Sequence, residues 1–392
     1  MEMRFSSRMD GFEPGIFNVL DDRKNQRLIQ GRPVYNLSIG TPDFLPEPHV
    51  VEALAQAASD PANYRYSLSE TAELSQAVQG WYGRRYGVEL DGDELMAVYG
   101  SQEGLTHIGW TLCDPDDVVL VPDPGYPIFE LGPYLCGAKC VRYPLLRENN
   151  YLPDLENIGP SLAEKARFMV VSYPANPLGA AAPDEFYPRL IRFAQKNKIV
   201  ILHDNAYSEI IFDGRVGRSF LSFAGGREVG VEFNSLSKTY NLTGARVSFV
   251  LGNREIVGAF KRLRSQIDYG MFLPIQHAAA AALNGPQDSV IRNRMEYQAR
   301  RDALCGGLRS IGWEVPDSQG SMFVWAPLPA GYKSSVGFCF ELLDRTGLLC
   351  TPGSAFGVLG EGYVRFALVR PVPVMKEIVR AVKASGILEG RS

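Results

Sequence analysis

The pattern of hydrophobic positions divides the chain into two parts. From about residue 95 to residue 238, short apolar runs alternate with segments of helical periodicity, and the runs are continuously apolar. Such runs are typical of strands covered on both faces, and their alternation with helices is typical of a parallel sheet. After Gly252, helical stretches and single strands follow in mixed order. The sequence therefore predicts an α/β fold with a mainly parallel sheet covered by helices, and a smaller α+β domain.

Several predicted strands are followed at once by unusual polar residues. The strands are predicted at 95–99, 118–121, 168–172, 199–202 and 229–233. The residues that follow them are Gly100, Ser101, Gln102, Tyr126, Asn176, Asp204, Tyr207, Ser235 and Lys238. Because the carboxyl ends of parallel strands share one edge of the sheet, where ligands bind, we expect these side chains to lie close together.

Lys238 lies in the segment Asn-Ser-Leu-Ser-Lys-Thr-Tyr-Asn at 234–241, just after the hydroxyls of Ser235 and Ser237, with Arg246 further on. A lysine amine can form a Schiff base with a carbonyl compound, while hydroxyls and a guanidinium can bind a phosphate dianion. The residues Ser-Leu-Ser-Lys also match the Ser-x-x-Lys motif of penicillin-binding serine acyl enzymes, in which Ser235 would be the nucleophile. The Lys-Thr-Gly and Ser-Asp-Asn partners of that motif do not occur in the sequence. This segment alone leaves both hypotheses open.

Composition argues against several classes of partner. Of the 392 residues, 40 are Lys or Arg and 44 are Asp or Glu, so the net charge of −4 predicts no nucleic-acid partner. No apolar run reaches the roughly 18 residues of a membrane span, and the first residues lack the apolar core of a signal peptide. The six cysteines and four histidines are scattered, without the spacing of a metal site. We therefore expect a cytoplasmic enzyme without a catalytic metal.

Arg365 stands inside the apolar run Tyr-Val-Arg-Phe-Ala-Leu at 363–368. An arginine in such a strand either has a structural partner or faces an anionic ligand. This apolar run by itself does not distinguish between these two roles for Arg365.

Taken together, the polar segments resemble a known family. They are Ser-Ile-Gly-Thr-Pro-Asp (38–43), Tyr-Gly-Ser-Gln-Glu-Gly (99–104), Val-Pro-Asp-Pro-Gly-Tyr-Pro (121–127), Tyr-Pro-Ala-Asn-Pro-Leu-Gly (173–179), His-Asp-Asn-Ala-Tyr (203–207), Ser-Leu-Ser-Lys-Thr-Tyr-Asn (235–241), Gly-Ala-Arg (244–246), Asp-Tyr-Gly (268–270) and Gly-Tyr-Val-Arg (362–365). In order and spacing they are similar to fold type I pyridoxal-phosphate enzymes, specifically the class I/II aminotransferases of the alanine and LL-diaminopimelate aminotransferase branch. The resemblance covers nearly the whole chain.

The resemblance implies a seven-stranded-type sheet in a large domain at 46–283, and a small domain built from 1–45 and 284–392. It implies a homodimer, with the active site near the subunit interface, that transfers an amino group from an amino acid to a 2-oxo acid by a ping-pong mechanism. A pyridoxal-phosphate-dependent carbon–sulfur β-lyase on the same fold stays open as an alternative. The donor also stays open among alanine, glutamate and a diaminopimelate-like amino acid.

The resemblance further implies roles for the residues around the cofactor. Lys238 would form the Schiff base (the internal aldimine) and later move the substrate proton. Asp204 would pair with the pyridine nitrogen, so that the ring acts as an electron sink. Tyr207 and Asn176 would hydrogen-bond the phenolic oxygen, and Tyr126 would stack on the ring.

The remaining implied roles concern phosphate and substrate. The implied phosphate ligands are Gly100, Ser101, Gln102, Ser235, Ser237 and Arg246. Arg365 would bind the substrate α-carboxylate, assisted by Gly40 and Asn176. Phe17 and Tyr269 would line the side-chain pocket. Tyr66, or alternatively Tyr64, would reach the phosphate in the partner subunit.

Overall fold

The structure is a computed structural model in which residues 3–12 and 16–389 are described. The chain forms two compact units. The large unit comprises Thr41–Gln298 and Ser318–Met322, and the small unit takes its described residues from Met1–Gly40, Ala299–Asp317 and Phe323–Ser392. The boundaries expected for the domains, 46–283 against 1–45 and 284–392, stay a prediction.

The strands are numbered in chain order. They are β1 Tyr35–Asn36, β2 Leu95–Val98, β3 Val118–Asp123, β4 Lys139–Pro144, β5 Ala166–Ser172, β6 Val200–Asp204, β7 Gly230–Ser235, β8 Ser248–Gly252, β9 Phe323–Pro327, β10 Leu348–Leu349, β11 Thr351–Pro352 and β12 Tyr363–Ala367.

The α-helices are numbered in the same way. They are α1 Ile16–Ile29, α2 Pro48–Ser59, α3 Ala72–Tyr86, α4 Ser101–Leu112, α5 Ile128–Cys136, α6 Pro160–Ala163, α7 Phe186–Asn197, α8 Gly226–Val229, α9 Leu236–Thr239, α10 Arg254–Arg264, α11 Leu273–Asn284, α12 Asp288–Ser310, α13 Ser335–Thr346 and α14 Val372–Ala384. Among the helices of the described residues, none is both long and apolar enough to cross a bilayer.

Local sequence signals set the helix ends. Helix α3 begins after Thr71, whose side chain accepts a hydrogen bond from the backbone N–H of Leu74, and it ends at Gly87 with φ 67°. A hydroxyl at the first position and a left-handed glycine after the last satisfy the backbone groups that a helix leaves unpaired. Helix α13 uses the same pair of signals, with Ser334 before it and Gly347 after it.

The large unit is organised around a seven-stranded sheet with the order β2-β8-β7-β6-β5-β3-β4. Every neighbouring pair from β7 to β4 is parallel, whereas β8 runs antiparallel to both of its neighbours. This confirms the predicted mainly parallel α/β sheet. Strand β8 can reverse direction because β7 and β8 are joined by a short connection without a long crossover helix.

Both faces of this sheet are buried, as the continuously apolar runs predict. One face packs against helices α4, α5 and α10 in a core that includes Val121, Val170, Phe233 and Phe260. The intervening positions, such as Leu120 and Met169, point to the opposite face and are also fully buried. Because neither face meets water, the strands have no polar side to display.

One charged group lies within the second face. Glu232 of β7 is 0% exposed, and its carboxylate accepts hydrogen bonds from Tyr82, Ser219, His203 and the backbone N–H of Phe220 at 2.8 to 2.9 Å. Burying a carboxylate is strongly unfavourable unless donors replace its water. The four donors therefore connect α3, β6 and β7 through a single side chain.

Strand β4 was not expected from the sequence. It lies at the edge of the sheet, where three of its six residues, among them Lys139 and Arg142, are exposed and only Tyr143 is buried. An edge strand breaks the continuously apolar pattern by which the other strands were identified.

The small unit contains its own strands. A three-stranded sheet has the order β11-β12-β9 with antiparallel pairing, and β1 pairs with β10 in parallel. This arrangement confirms the expected α+β character of the chain's remaining part.

Candidate active site

The polar residues predicted to meet do lie along one edge of the large unit's sheet. Ser248 at the start of β8 pairs with Val98 of β2 and with Ser235 at the end of β7. Asp204, the last residue of β6, pairs with Ser172, the last residue of β5. The strand ends therefore bring hydroxyls and a carboxylate to the same edge, where ligands bind in such sheets.

Asp204 is a buried carboxylate at this edge. Its side chain is 6% exposed, and one oxygen accepts a hydrogen bond from the backbone N–H of Ala206 at 3.3 Å. Burial raises the pKa of Asp204 to about 6, although the Ala206 bond and His203 act in the opposite direction. A carboxylate in this setting is stabilised in its charged form when a cation binds beside it. A protonated pyridine nitrogen is such a cation.

The start of α4 forms a cradle for an anion. Gly100, with φ 89°, precedes the helix, and a Cβ atom there would lie 2.1 Å from Nη2 of Arg246. The same Nη2 donates to the carbonyl of Tyr99 at 3.4 Å. The buried hydroxyl of Ser101 has no hydrogen-bond partner among the described residues. A helix N-terminus, an adjacent guanidinium and an unsatisfied hydroxyl together suit a phosphate group.

Ser235 is held by its neighbours. Its Oγ accepts hydrogen bonds from the backbone N–H of Ser237 at 3.2 Å and from the hydroxyl of Ser248 at 2.8 Å, and the residue is 3% exposed. A buried hydroxyl engaged in this way is poorly suited to attack a substrate. Ser248 was not among the predicted site residues. Its own position in the sequence carries no motif that would have identified it.

The other predicted cofactor residues follow the neighbouring strands. The hydroxyl of Tyr126 donates to Oε1 of Gln102 at 3.0 Å, which joins the loop after β3 to the first turn of α4. Asn176 and Tyr207 are buried in the loops after β5 and β6. Lys238 lies in the short helix α9 directly after β7 and is half-buried.

This donor set fits pyridoxal phosphate. It contains an amine for the aldehyde, a carboxylate for the ring nitrogen, and an amide and a phenol for the phenolic oxygen. Hydroxyls and a guanidinium at the start of α4 suit the phosphate.

Tyr64 and Tyr66 are the two candidates for the predicted contact with a partner subunit. The hydroxyl of Tyr64 donates to the carbonyl of Ala58 at 2.9 Å, within its own chain. Tyr66 is 79% exposed, and its ring lies 4.6 Å from the ring of Tyr269, which is also exposed. The side chain of Phe17, predicted for the substrate pocket, lies outside the described residues, although its backbone belongs to α1.

Arg365 and Gly40 belong to the small unit. Arg365 lies in β12, is 4% exposed, and donates from Nη2 to the carbonyl of Ser38 at 2.8 Å. Gly40 packs closely against the ring of Phe323. The sequence did not identify Phe323 or Ser38, because neither is unusual where it stands.

We predict that replacing Asp204 by Asn changes the pH dependence of stability. In the apoprotein the raised pKa disfavours ionisation, so this carboxyl lowers the free energy of unfolding as pH rises from about 4 to above 6. Asp204→Asn should therefore be more stable than wild type at about pH 8, by up to about 3 kcal/mol, and nearly equal at about pH 4. Urea unfolding of both apoproteins at the two pH values measures this. If the difference in the free energy of unfolding between the two proteins is the same at both pH values, this prediction is wrong.

Comparison with known proteins agrees with this geometry. The family described as aminotransferase class I and II matches residues 32–382. An LL-diaminopimelate aminotransferase of Dehalococcoides mccartyi is 42% identical over 371 residues, covering 94% of this chain and 95% of that protein. Another, from Halothermothrix orenii, is 41% identical and covers 98% of this chain and 99% of its own length.

Solved structures show the same similarity. The substrate-bound BacF structure from Bacillus subtilis superposes with a TM-score of 0.95 at 32% identity and full coverage of both chains. A probable N-succinyldiaminopimelate aminotransferase from Thermus thermophilus gives a TM-score of 0.89 at 31% identity, covering 95% of this chain and 100% of that one. The chain therefore belongs to the class I and II aminotransferases, and it is a pyridoxal-phosphate-dependent enzyme that transfers amino groups between amino acids and 2-oxo acids.

Proposed function

We propose that Lys238 carries the cofactor and that the preferred amino donor is of the diaminopimelate class, with an amino and a carboxylate group at the far end of its side chain. The observation that carries the first part is the buried carboxylate of Asp204, which ends the strand next to the one that leads into Lys238. The second part is supported by the names of relatives that are 38 to 42% identical over nearly the whole chain.

The cofactor, when bound, supplies an electron sink that makes the substrate Cα–H acidic. In our proposal Asp204 keeps the ring nitrogen protonated, while Tyr207 and Asn176 orient the phenolic oxygen. Tyr126 covers one ring face. The amine of Lys238 would take the proton from the substrate Cα and return it to the carbon on the other side of the amino nitrogen, which comes from the aldehyde of the cofactor.

The phosphate would be held by the start of α4 and the segment after β7. The proposed ligands are Gly100, Ser101, Gln102, Ser235, Ser237 and Arg246. In the substrate, Arg365 would bind the α-carboxylate as a two-pronged pair, with Gly40 and Asn176 as further donors. Phe17 and Tyr269 would contact the substrate side chain.

We further propose that the enzyme is a cytoplasmic homodimer in which Tyr66 reaches the phosphate in the partner subunit. Tyr66 is favoured over Tyr64 because the hydroxyl of Tyr64 is bound to its own chain. Tyr66, Leu68 and Tyr269 also expose more than half of their side chains, and apolar exposure of this kind is typical of an interface.

Covalent attachment of the cofactor tests the role of Lys238. We expect borohydride to leave pyridoxal phosphate attached to the peptide that contains Lys238 in wild type, as seen by mass spectrometry of a digest. Lys238→Ala should retain the cofactor only reversibly, because the amine that forms the bond is gone. Lys261→Ala, which removes an amine on α10, is the matched control and should be labelled like wild type. Labelling at another lysine in wild type would refute the proposal.

A panel of amino donors with 2-oxoglutarate tests the substrate class. We expect kcat/KM to be highest for LL-diaminopimelate, with alanine and aspartate clearly lower. Glutamate formation is the measured product, and pyruvate and ammonia from a cysteine conjugate are measured in parallel. A higher kcat/KM for alanine would overturn the proposed donor. Faster release of pyruvate and ammonia would favour the β-lyase.

Cofactor affinity tests the partner contact. Tyr66→Phe removes one hydroxyl, and we expect the Kd for pyridoxal phosphate to rise roughly tenfold or more, since a hydrogen bond to a charged group is lost. Tyr64→Phe is the matched control and should leave the Kd nearly unchanged. Sedimentation should show twice the chain mass for all three proteins. A larger effect from Tyr64→Phe, or a monomeric wild type, would contradict the proposal.

A further inference from the structure

The guanidinium of Arg365 lies over two aromatic rings. Its Cζ is 4.1 Å from the ring centre of Phe323 and 4.6 Å from that of Phe356. Nη2 donates to the carbonyl of Ser38 at 2.8 Å and lies 3.5 Å from the hydroxyl of Thr351. These contacts with two rings, a carbonyl and a hydroxyl hold the guanidinium in a defined position.

The small unit's sheet places the two rings. Arg365 of β12 pairs with Trp325 of β9, and alternate residues share a face, so Phe323 stands on the same face as Arg365. Phe356 ends the short 3-10 helix Gly353–Phe356. The ring of Trp325 packs edge to face against the ring of Phe356, with the ring centres 5.9 Å apart.

Gly40 is required for this arrangement. A Cβ atom at Gly40 would lie 2.4 Å from Cζ of Phe323, closer than atoms can approach. Because Gly40 has no side chain, the ring of Phe323 can occupy the position in which it contacts Arg365. This is a steric reason for the glycine, separate from any hydrogen bond that its backbone makes.

A guanidinium over aromatic faces is attracted to both rings and loses part of its hydration. The same contacts restrict its motion, so less rotamer freedom is lost when a planar carboxylate binds to it. Both effects strengthen carboxylate binding, and neither acts on the chemical step.

We propose that Phe323 and Phe356 are positioning residues that set the affinity of the enzyme for the α-carboxylate of its substrates through Arg365. The inference rests on the proposed role of Arg365 as the carboxylate ligand. It adds that the two rings, with Gly40 making room for one of them, determine how strongly that carboxylate is bound.

The holoenzymes of Phe323→Leu and Phe356→Leu test this inference. Leucine keeps apolar bulk and removes the aromatic face. We expect KM to rise roughly three- to thirtyfold for the amino donor and for the 2-oxo acid alike, with kcat nearly unchanged. Phe356→Leu tests the second ring independently if Phe323→Leu does not fold.

Phe366→Leu is the matched control. Phe366 follows Arg365 in β12, points to the opposite face, is fully buried, and packs edge to face against Trp313. Phe366→Leu removes a comparably buried ring from the strand that carries Arg365, so the stability of this variant should fall while KM for both substrates stays at the wild-type value.

Two small probes separate carboxylate recognition from a general loss of order. Propionate, which carries only the carboxylate, should inhibit Phe323→Leu with a Ki raised by the same factor as KM. Propylamine, which lacks the carboxylate, should react with the holoenzyme in single turnover at the wild-type rate constant. If propylamine is slowed as much as the amino acid, or if KM moves equally in Phe366→Leu, the rings act only on the fold and the inference is wrong.

Arg365→Gln distinguishes failure of this inference from failure of the proposed function. If Arg365→Gln leaves the propionate Ki unchanged, Arg365 is not the carboxylate ligand and both ideas fail. If it abolishes propionate inhibition while both leucine variants retain wild-type Ki and KM, the role of Arg365 stands and only the role of the rings is refuted.

Discussion

The constraint on which the large unit depends is a carboxylate that has been removed from water inside the sheet. Glu232 can be buried only because donors from α3, β6 and the loop around Ser219 converge on it. These donors hold β6 against β7 at fixed register. Since Asp204 closes β6 and Lys238 follows β7, the same contacts hold the two groups of the proposed chemistry in relation to each other.

The two faces of the large unit's sheet carry different sets of polar residues. His203 and Glu232 point to one face of the sheet. Asp204, Phe233 and Ser235 point to the other face. A period of two along each strand therefore places the hydrogen-bonded cluster around Glu232 on the face opposite the proposed cofactor residues. Polar groups therefore occur on both faces of an otherwise apolar sheet, and donors from other elements converge on Glu232.

The small unit contains a buried arginine, Arg365, whose contacts differ in kind from those of Glu232. Glu232 accepts hydrogen bonds from four donors, whereas the contacts of Arg365 include two rings, a carbonyl and a hydroxyl. Contacts of this kind give a cation a defined orientation. The difference is consistent with a structural role for the first group and a ligand-binding role for the second.

The sequence by itself determined the fold class and the edge at which the site residues gather. Continuously apolar strands alternating with helices required a mainly parallel sheet, and the polar residues at the strand ends then had to share one edge. Segment resemblance supplied the family and the identity of Lys238 and Asp204 as candidates. These conclusions depend on local pattern, which each segment carries within itself.

Other features were decided only by the tertiary structure. The edge strand β4 was missed because half of its residues face water, and the contact of Ser248 with Ser235 depends on the pairing of β7 with β8. Likewise, the rings beside Arg365 come from positions 323 and 356. Each depends on which distant residues become neighbours, and a local sequence pattern does not encode that information.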